Sequence, residues 1–290
     1  MRYRLRHLTS YSYAEPVDLA SHLLHLSPRD MPGQRVLHHH ILADPSPARV
    51  VRREDAYGNR ACWLFLDTPH ARFDVVTEAE VEVGFAPPAG TGPAAGALAP
   101  LARCLPDSAE FLFPSPMLPR SEAARAYAGA SFPEGRPVVE GLVDLMRRIR
   151  QGFAFRPGVT DIATPVARVL ERREGVCQDF SNLMITGLRG LGIPARYVSG
   201  YVRTRPAPGQ PRRRGADQSH AWVAAWCGPE LGWTMCDPTN ECFVTDEHVV
   251  LGWGRDFSDV SPLRGVILGG GAHAVTAAVD LEPAEAEVGD

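Results

Sequence analysis

Apolar and polar residues alternate one by one through Arg2–Tyr13 ("RYRLRHLTSYSY"), the pattern of a strand with one face buried. The same period returns further on, where Phe73, Val75, Thr77, Ala79, Val81 and Val83 share one face while Asp74, Glu78, Glu80 and Glu82 share the other. Between these stretches "DAYGNRACWLFL" reads as a turn around Gly58-Asn59 that feeds another strand. The first 85 or so residues are therefore predicted to form an antiparallel β module.

The pattern then changes. Residues 86–102, "APPAGTGPAAGALAPLA", are dense in Pro and Gly and mark a linker, which divides a β-rich N-terminal domain (1–102) from a core with a C-terminal strand segment (103–290). Helical spacing follows. Ser121 caps "SEAARAYAG" with an early Glu122, and Val139, Leu142, Val143, Met146 and Ile149 recur on one helix face. In "TPVARVLERR", Thr164 is the expected cap and Pro165 falls in the first turn. Phe180, Leu183, Met184, Leu188 and Leu191 form another apolar stripe, ending near Gly190 and Gly192, so Cys177 stands at the start of that helix. "ARYVSGYV", "SHAWVAAWC" and "GWTMCDPTN" have strand composition, and helices followed by strands predict an α+β domain.

Composition narrows the partners. With 290 residues, 44% of them hydrophobic, the chain can bury a real core. A net charge of -4 argues against binding nucleic acid or an anionic membrane surface. The opening residues lack the apolar stretch of a signal peptide, and no run is long enough to span a bilayer, so a soluble, cytoplasmic protein is expected. The six cysteines are sparse and include no CxxC pair, which suits reduced thiols.

Chemistry concentrates in three places. A thiol at a helix N-terminus faces unpaired backbone N–H groups and the positive end of the macrodipole, which favour negative charge on sulfur, and the same N–H groups can receive a developing oxyanion. His220 opens one strand, Asp237 closes the next, and residues 228–232 offer Gly and Pro for a turn between them. Positions 220 and 237 sum to 457, and a hairpin turning about residues 228–231 has an index sum of 459, which sets the two side chains within about two residues of direct opposition. With the right parity, Asp237 orients the imidazole and leaves its other nitrogen for the Cys177 proton.

Each residue also has a plainer reading: Cys177 as small packing, His220 as a structural strand residue, Asp237 as a turn former before proline. Asp179 reads as a first-turn carboxylate facing the helix dipole, and Trp222, Trp226 and Trp233 as core or as a screen around the thiol. Metal sets are weak. His38 and His40 of "LHHHIL" share a strand face without a third ligand, and a zinc set of Cys177, His220, Cys236 and Cys242 conflicts with Cys236 and Asp237 pointing to opposite faces. No acidic calcium loop is present, and no cofactor is expected. "RTRPAPGQPRRRGADQ" (203–218) reads as a solvated basic loop or as a flap that steers an acidic substrate.

"EGVCQDFSNLMITGLRGLGIPARYVSGYV", "SHAWVAAW" and "GWTMCDPTN" together resemble the three motif blocks of the transglutaminase-like superfamily, in particular its bacterial and archaeal members described as candidate cysteine proteases. "YRLRHLTSYSYAEPV" with "LSPRD" resembles the β-rich N-terminal region that accompanies this core, and "GRDFSDVSPLRGV" its closing segment. The resemblance implies a papain-like fold with Cys177 as nucleophile, His220 as general base and acid, and Asp237 as orienting carboxylate. It implies a cysteine-dependent hydrolase of a peptide or other amide, or an acyltransferase, working through a thioester; a catalytically silent scaffold that binds a protein partner is the alternative. Relatives often carry a Tyr near "GFAFRPG", where this chain has Phe153 and Phe155, so the Cys177 backbone N–H is the expected oxyanion donor.

Overall fold

A computed structural model describes residues 1–204 and 217–284. The alternation of the opening residues continues well past Tyr13 into one 23-residue strand, β1 (Arg2–Leu24). With β2 (Gln34–Asp44), β3 (Arg49–Glu54), β4 (Arg60–Leu66) and β5 (His70–Val83) it forms a sheet in the order β2-β5-β1-β4-β3. The even spacing read in residues 73–83 places Phe73, Val75, Thr77, Ala79, Val81 and Val83 inside, as an antiparallel sheet with one covered face requires.

Six helices follow: α1 (Leu98–Arg103), α2 (Pro106–Ala109), α3 (Glu122–Gly129), α4 (Val138–Gly152), α5 (Val166–Arg172) and α6 (Cys177–Gly190). The Pro- and Gly-rich stretch is thus partly helical at its end, because Leu98 and Ala102 are buried in the main core. Ser121 caps α3 by accepting from the Ala124 N–H at 3.2 Å. At α5 the cap position is Pro165 rather than Thr164, whose hydroxyl instead closes a turn with Asp161.

Two-residue strands β6 (Ala154–Phe155) and β7 (Glu174–Gly175) pair in parallel just before α6. The second sheet contains β8 (Ala195–Val202), β9 (Gln218–Trp226), β10 (Trp233–Asp237), β11 (Cys242–Phe243) and β12 (His248–Gly254), ordered β11-β10-β9-β8-β12. One face of this sheet, with Tyr197, Ala221, Val223, Ala225 and Cys236, packs on the apolar stripe of α6 to form the main core. Gly187 lets α3 approach α6 closely, since a Cβ there would sit 2.6 Å from that of Ala128.

The last strands, β13 (Leu263–Gly269) and β14 (His273–Pro283), return to the first sheet, β13 pairing with Val17–Leu24 of β1 and β14 with Tyr3–Tyr13. The β module is therefore discontinuous in sequence. Tyr3, Leu5, Val81, Val279 and Leu281 bury a joint apolar layer with Tyr201, Val249 and Leu251 of the second sheet. Within it, His7 Nδ1 and the Tyr201 hydroxyl are 2.6 Å apart, and Thr9 Oγ1 is 3.1 Å from the other ring nitrogen.

Burial pushes His7 down to about 4, and burial aided by the neighbouring His70 does the same to His22, whose ring stacks on Phe73 at 4.4 Å. Among the described residues neither ring nitrogen of His22 has a hydrogen-bond partner. A histidine kept neutral in the fold contributes stability that is complete above its unfolded pKa of about 6.5 and lost as pH falls toward its folded value. Thermal melting followed by circular dichroism should show a midpoint that drops by several degrees between pH 6.5 and 4, and His22→Leu should flatten that slope. A midpoint equally pH-dependent in the variant would contradict this account.

Candidate active site

Val176 is extended, with φ -122° and ψ -178°, and the helical turn begins at Cys177. The switch is held by Asp179, whose Oδ2 accepts from the Val176 N–H at 2.8 Å and from Thr160 Oγ1 at 2.7 Å. A Cβ on Gly175 would lie 2.7 Å from that oxygen, so only glycine lets the carboxylate close on the chain. Burial raises the Asp179 pKa, and these two hydrogen bonds oppose the rise. The carboxylate predicted to face the dipole is committed to capping the helix. Cys177 is half-buried against the main core, and its sulfur lies near enough to His220 to help raise the pKa of that ring.

The β9–β10 hairpin pairs Trp226 with Trp233 and Val223 with Cys236. Its index sum is therefore 459, as turn placement predicted, with the turn closed by Cys227 N–H to Gly232 O and Gly232 N–H to Gly228 O, both at 2.8 Å. Asp237 falls opposite Trp222, and His220 lies two residues along the same face. The offset is bridged diagonally: His220 Nε2–H donates to Asp237 Oδ2 at 2.7 Å.

Asp237 is fully buried, at 0% exposure, and its carboxylate is surrounded by donors. Oδ2 also accepts from Asn240 Nδ2 at 2.6 Å and from His248 Nε2 at 3.2 Å, while Oδ1 accepts from the N–H groups of Thr239 at 2.9 Å and Asn240 at 3.2 Å. The Thr245 N–H points at His248 Nδ1 from 3.3 Å, which makes that nitrogen an acceptor and puts the His248 proton on Nε2, facing Asp237. Burial alone would raise the Asp237 pKa, but the two imidazoles hold it far below the carboxylate range. For His220 burial pulls the other way, and the hydrogen bonds and charges of Asp237 and Cys177 overcome it, keeping the ring protonated well above the usual imidazole range. With Nε2 committed to Asp237, Nδ1 is the ring nitrogen left for another partner.

His248 and Asn240 were not singled out in the sequence. Asn240 could have been read from "DPTN" as the end of an Asx turn, but nothing in "EHVV" announces that β12 returns beside β9 and β10. Trp222 is fully buried against both imidazoles, with ring centroids 5.9 Å from His220 and 5.3 Å from His248. Trp226 belongs to the main core, and Trp233 stacks on the Arg196 guanidinium at 3.7 Å. Phe153 and Phe155 both meet the ring of Phe180, so they pack at this end of α6 without offering a hydroxyl.

The metal sets do not assemble as drawn from sequence. Cys236 is buried in the core on the face away from Asp237, and burial pushes its thiol well up. His40 pairs with Glu78 at 3.0 Å across exposed strands, and His38 adds only an edge contact with it. Ligand atoms of Asp237, Cys242 and His248 do lie within 4.8 Å of one another. A metal there would need the His248 Nε2 lone pair, which requires a proton on Nδ1 directed at the Thr245 N–H, and would displace donors that already fill Asp237 Oδ2. The bulk of the basic stretch, 205–216, lies outside the described residues; at its borders the Thr204 N–H donates to Asp217 Oδ1 at 2.7 Å.

Comparison with known proteins agrees with this architecture. Residues 3–82 match the bacterial transglutaminase-like N-terminal region, and residues 125–238 match the transglutaminase-like superfamily core. The uncharacterized protein Rv2569c of Mycobacterium tuberculosis is 39% identical over 99% of this chain and 94% of its own length. A protein-glutamine gamma-glutamyltransferase of Pseudomonas aeruginosa is 29% identical over 125 residues, 42% of this chain and 18% of that protein. The crystal structure of a candidate cysteine protease from Cytophaga hutchinsonii superposes with a TM-score of 0.78 at 20% identity, covering 100% of this chain and 92% of that one. No helix among the described residues is long and apolar enough to cross a membrane. The chain belongs to the transglutaminase-like superfamily, with a β-rich N-terminal region joined to the superfamily core.

Proposed function

We propose that the protein is a thiol hydrolase of amide bonds, with Cys177 as nucleophile, His220 as proton carrier and Asp237 as the group that orients it. The observation that supports the reading is one imidazole hydrogen-bonded to a buried carboxylate, with a thiol at a helix N-terminus near enough to help raise its pKa. The match of residues 125–238 to the superfamily core supports it, since that span includes all three residues.

Sulfur, its proton held by His220, attacks the amide carbonyl carbon, and the carbonyl oxygen takes the negative charge beside the backbone N–H of Cys177. The imidazolium Nδ1–H then protonates the amide nitrogen as the C–N bond breaks, leaving a thioester. Water attacks the thioester, giving a proton back to His220 and releasing the carboxylic acid with the thiol pair restored. The substrate is a peptide or another amide-bearing molecule, and no cofactor enters the cycle. The cytoplasm is part of the same proposal, supported by six cysteines that stand free of one another.

A second reading, transfer of the acyl group to an amine, uses the same first half and is supported by the similarity to the glutamyltransferase. Hydrolysis takes precedence because water requires no second pocket. The catalytically silent scaffold is disfavoured by a site with a complete set of donors around Asp237.

Iodoacetamide labelling followed by mass spectrometry should place the fast-reacting thiol at Cys177. His220→Gln should slow it by roughly a hundredfold or more, on the scale of general-base contributions. Labelling at the pace of an ordinary thiol in both proteins would support the scaffold instead. Ring-nitrogen NMR of His220 should report an imidazolium through neutral pH. Asp237→Asn should move its titration down by several units, because burial then acts without the opposing carboxylate; an unmoved titration would remove Asp237 from the orienting role.

A further inference from the structure

The last turn of α6 ends at a second concave site, far from the thiol. A cavity of about 320 Å³ opens between α6, α3 and the chain after α2. Four arginines line it, Arg103, Arg120, Arg125 and Arg189, against one acid, Glu122, which is itself paired with Arg125 at 3.1 Å. This is a local excess of three positive charges in a chain whose net charge is -4. Arg103 and Arg120 are exposed and make no ion pair among the described residues.

Two buried groups at this wall are incompletely matched: a cation without a carboxylate at ion-pair distance and a hydroxyl without a hydrogen bond among the described residues. Arg189 is only 8% exposed, yet its guanidinium donates to neutral oxygens: the Ala195 carbonyl at 2.8 Å, the Arg255 carbonyl at 2.6 Å and Ser115 Oγ at 3.5 Å. No carboxylate reaches ion-pair distance of it among the described residues, and burial lowers its pKa to about 10. Thr186, 5% exposed on the preceding turn, leaves its hydroxyl without a hydrogen bond among the described residues. A buried cation without a counter-charge and a hydroxyl without a hydrogen bond are both costly, and one oxyanion in the cavity would offset both.

The carbonyl end of α6 works against an anion with roughly half a unit charge. Several guanidinium charges outweigh it. We propose that this cavity binds a small molecule bearing a multiply charged oxyanion group, a phosphate or a polycarboxylate, between Arg103, Arg120 and Arg189 with the Thr186 hydroxyl at its base. The volume admits such a group with a few further atoms, and does not admit a polymer end to end. The site stands on its own groups, independent of the thiol chemistry, since along α6 Thr186 and Gly190 lie about 14 and 20 Å from Cys177.

Calorimetric titration at constant ionic strength with inorganic pyrophosphate and, separately, with citrate tests the site. Saturable binding of either supports it, and the tighter of the two names the ligand class. Arg103→Ala/Arg120→Ala, at exposed positions, should weaken binding at least tenfold, and Thr186→Val should weaken it with a melting temperature no lower than the parent's and the same Cys177 labelling rate. Absence of saturable heat with both anions, or affinity unchanged in the arginine double variant, would overturn the assignment.

Discussion

A fully buried carboxylate sits at the centre of this molecule's chemistry, and its solvation dictates where three separate segments must lie. Removing an ionised carboxylate from water costs several kcal/mol unless protein donors replace the lost hydration. Asp237 recovers it from the two imidazoles of His220 and His248, one side-chain amide and two backbone N–H groups. Those donors come from β9, β12 and the turn after β10, so the ion ties these elements together in addition to their apolar contacts. One consequence is tautomeric. Because Nε2 of His220 carries a proton toward Asp237, Nδ1 is the nitrogen left for the thiol.

The first sheet bears on that arrangement from a distance. β14 is bound along β1, and it also meets the start of β9: the Asp217 N–H donates to Val279 O at 3.1 Å, and the Leu281 N–H donates to Asp217 Oδ2 at 2.6 Å. Asp217 stands three residues before His220 on the same run of chain. The N-terminal region and the end of the chain thus form one sheet that anchors the strand bearing the imidazole, in addition to burying its own apolar face. A loosened β14 would free the beginning of β9 and with it the angle at which His220 faces sulfur.

Local patterns were legible where one element carries the signal. Residues 73–83 show their period-two face, Ser121 its cap, α6 its apolar stripe, and the hairpin its index sum, since turn position and strand pairing are set by neighbours in sequence. Long-range pairing carries no such mark. The exposed alternation of β13 and β14 does not say which sheet they join, and His248 enters beside Asp237 only because β12 pairs with β8. Leu98 and Ala102 were hidden by the glycines and prolines around them, yet tertiary burial makes a helix of the end of that stretch. At α5, proline's fixed φ serves the cap position itself, which shifts the helix start by one residue from the expected place.

α6 shows why sulfur stays where the imidazole can use it. From Asp179 to Arg189 every residue of this helix is buried, so no face is left free to tilt toward solvent, unlike the one-sided burial of an amphipathic surface helix. Burial on all sides has a cost in unmet hydroxyls and amides, visible at Ser181, Asn182 and Thr186. Its gain is rigidity. The Asp179 cap holds the first turn, and at the other end the Gly192 N–H to Arg189 O and Ile193 N–H to Leu188 O bonds close the last. A nucleophile mounted on such a rod needs little from its own contacts to remain aligned, and the only parts of the helix open to ligands are its two ends.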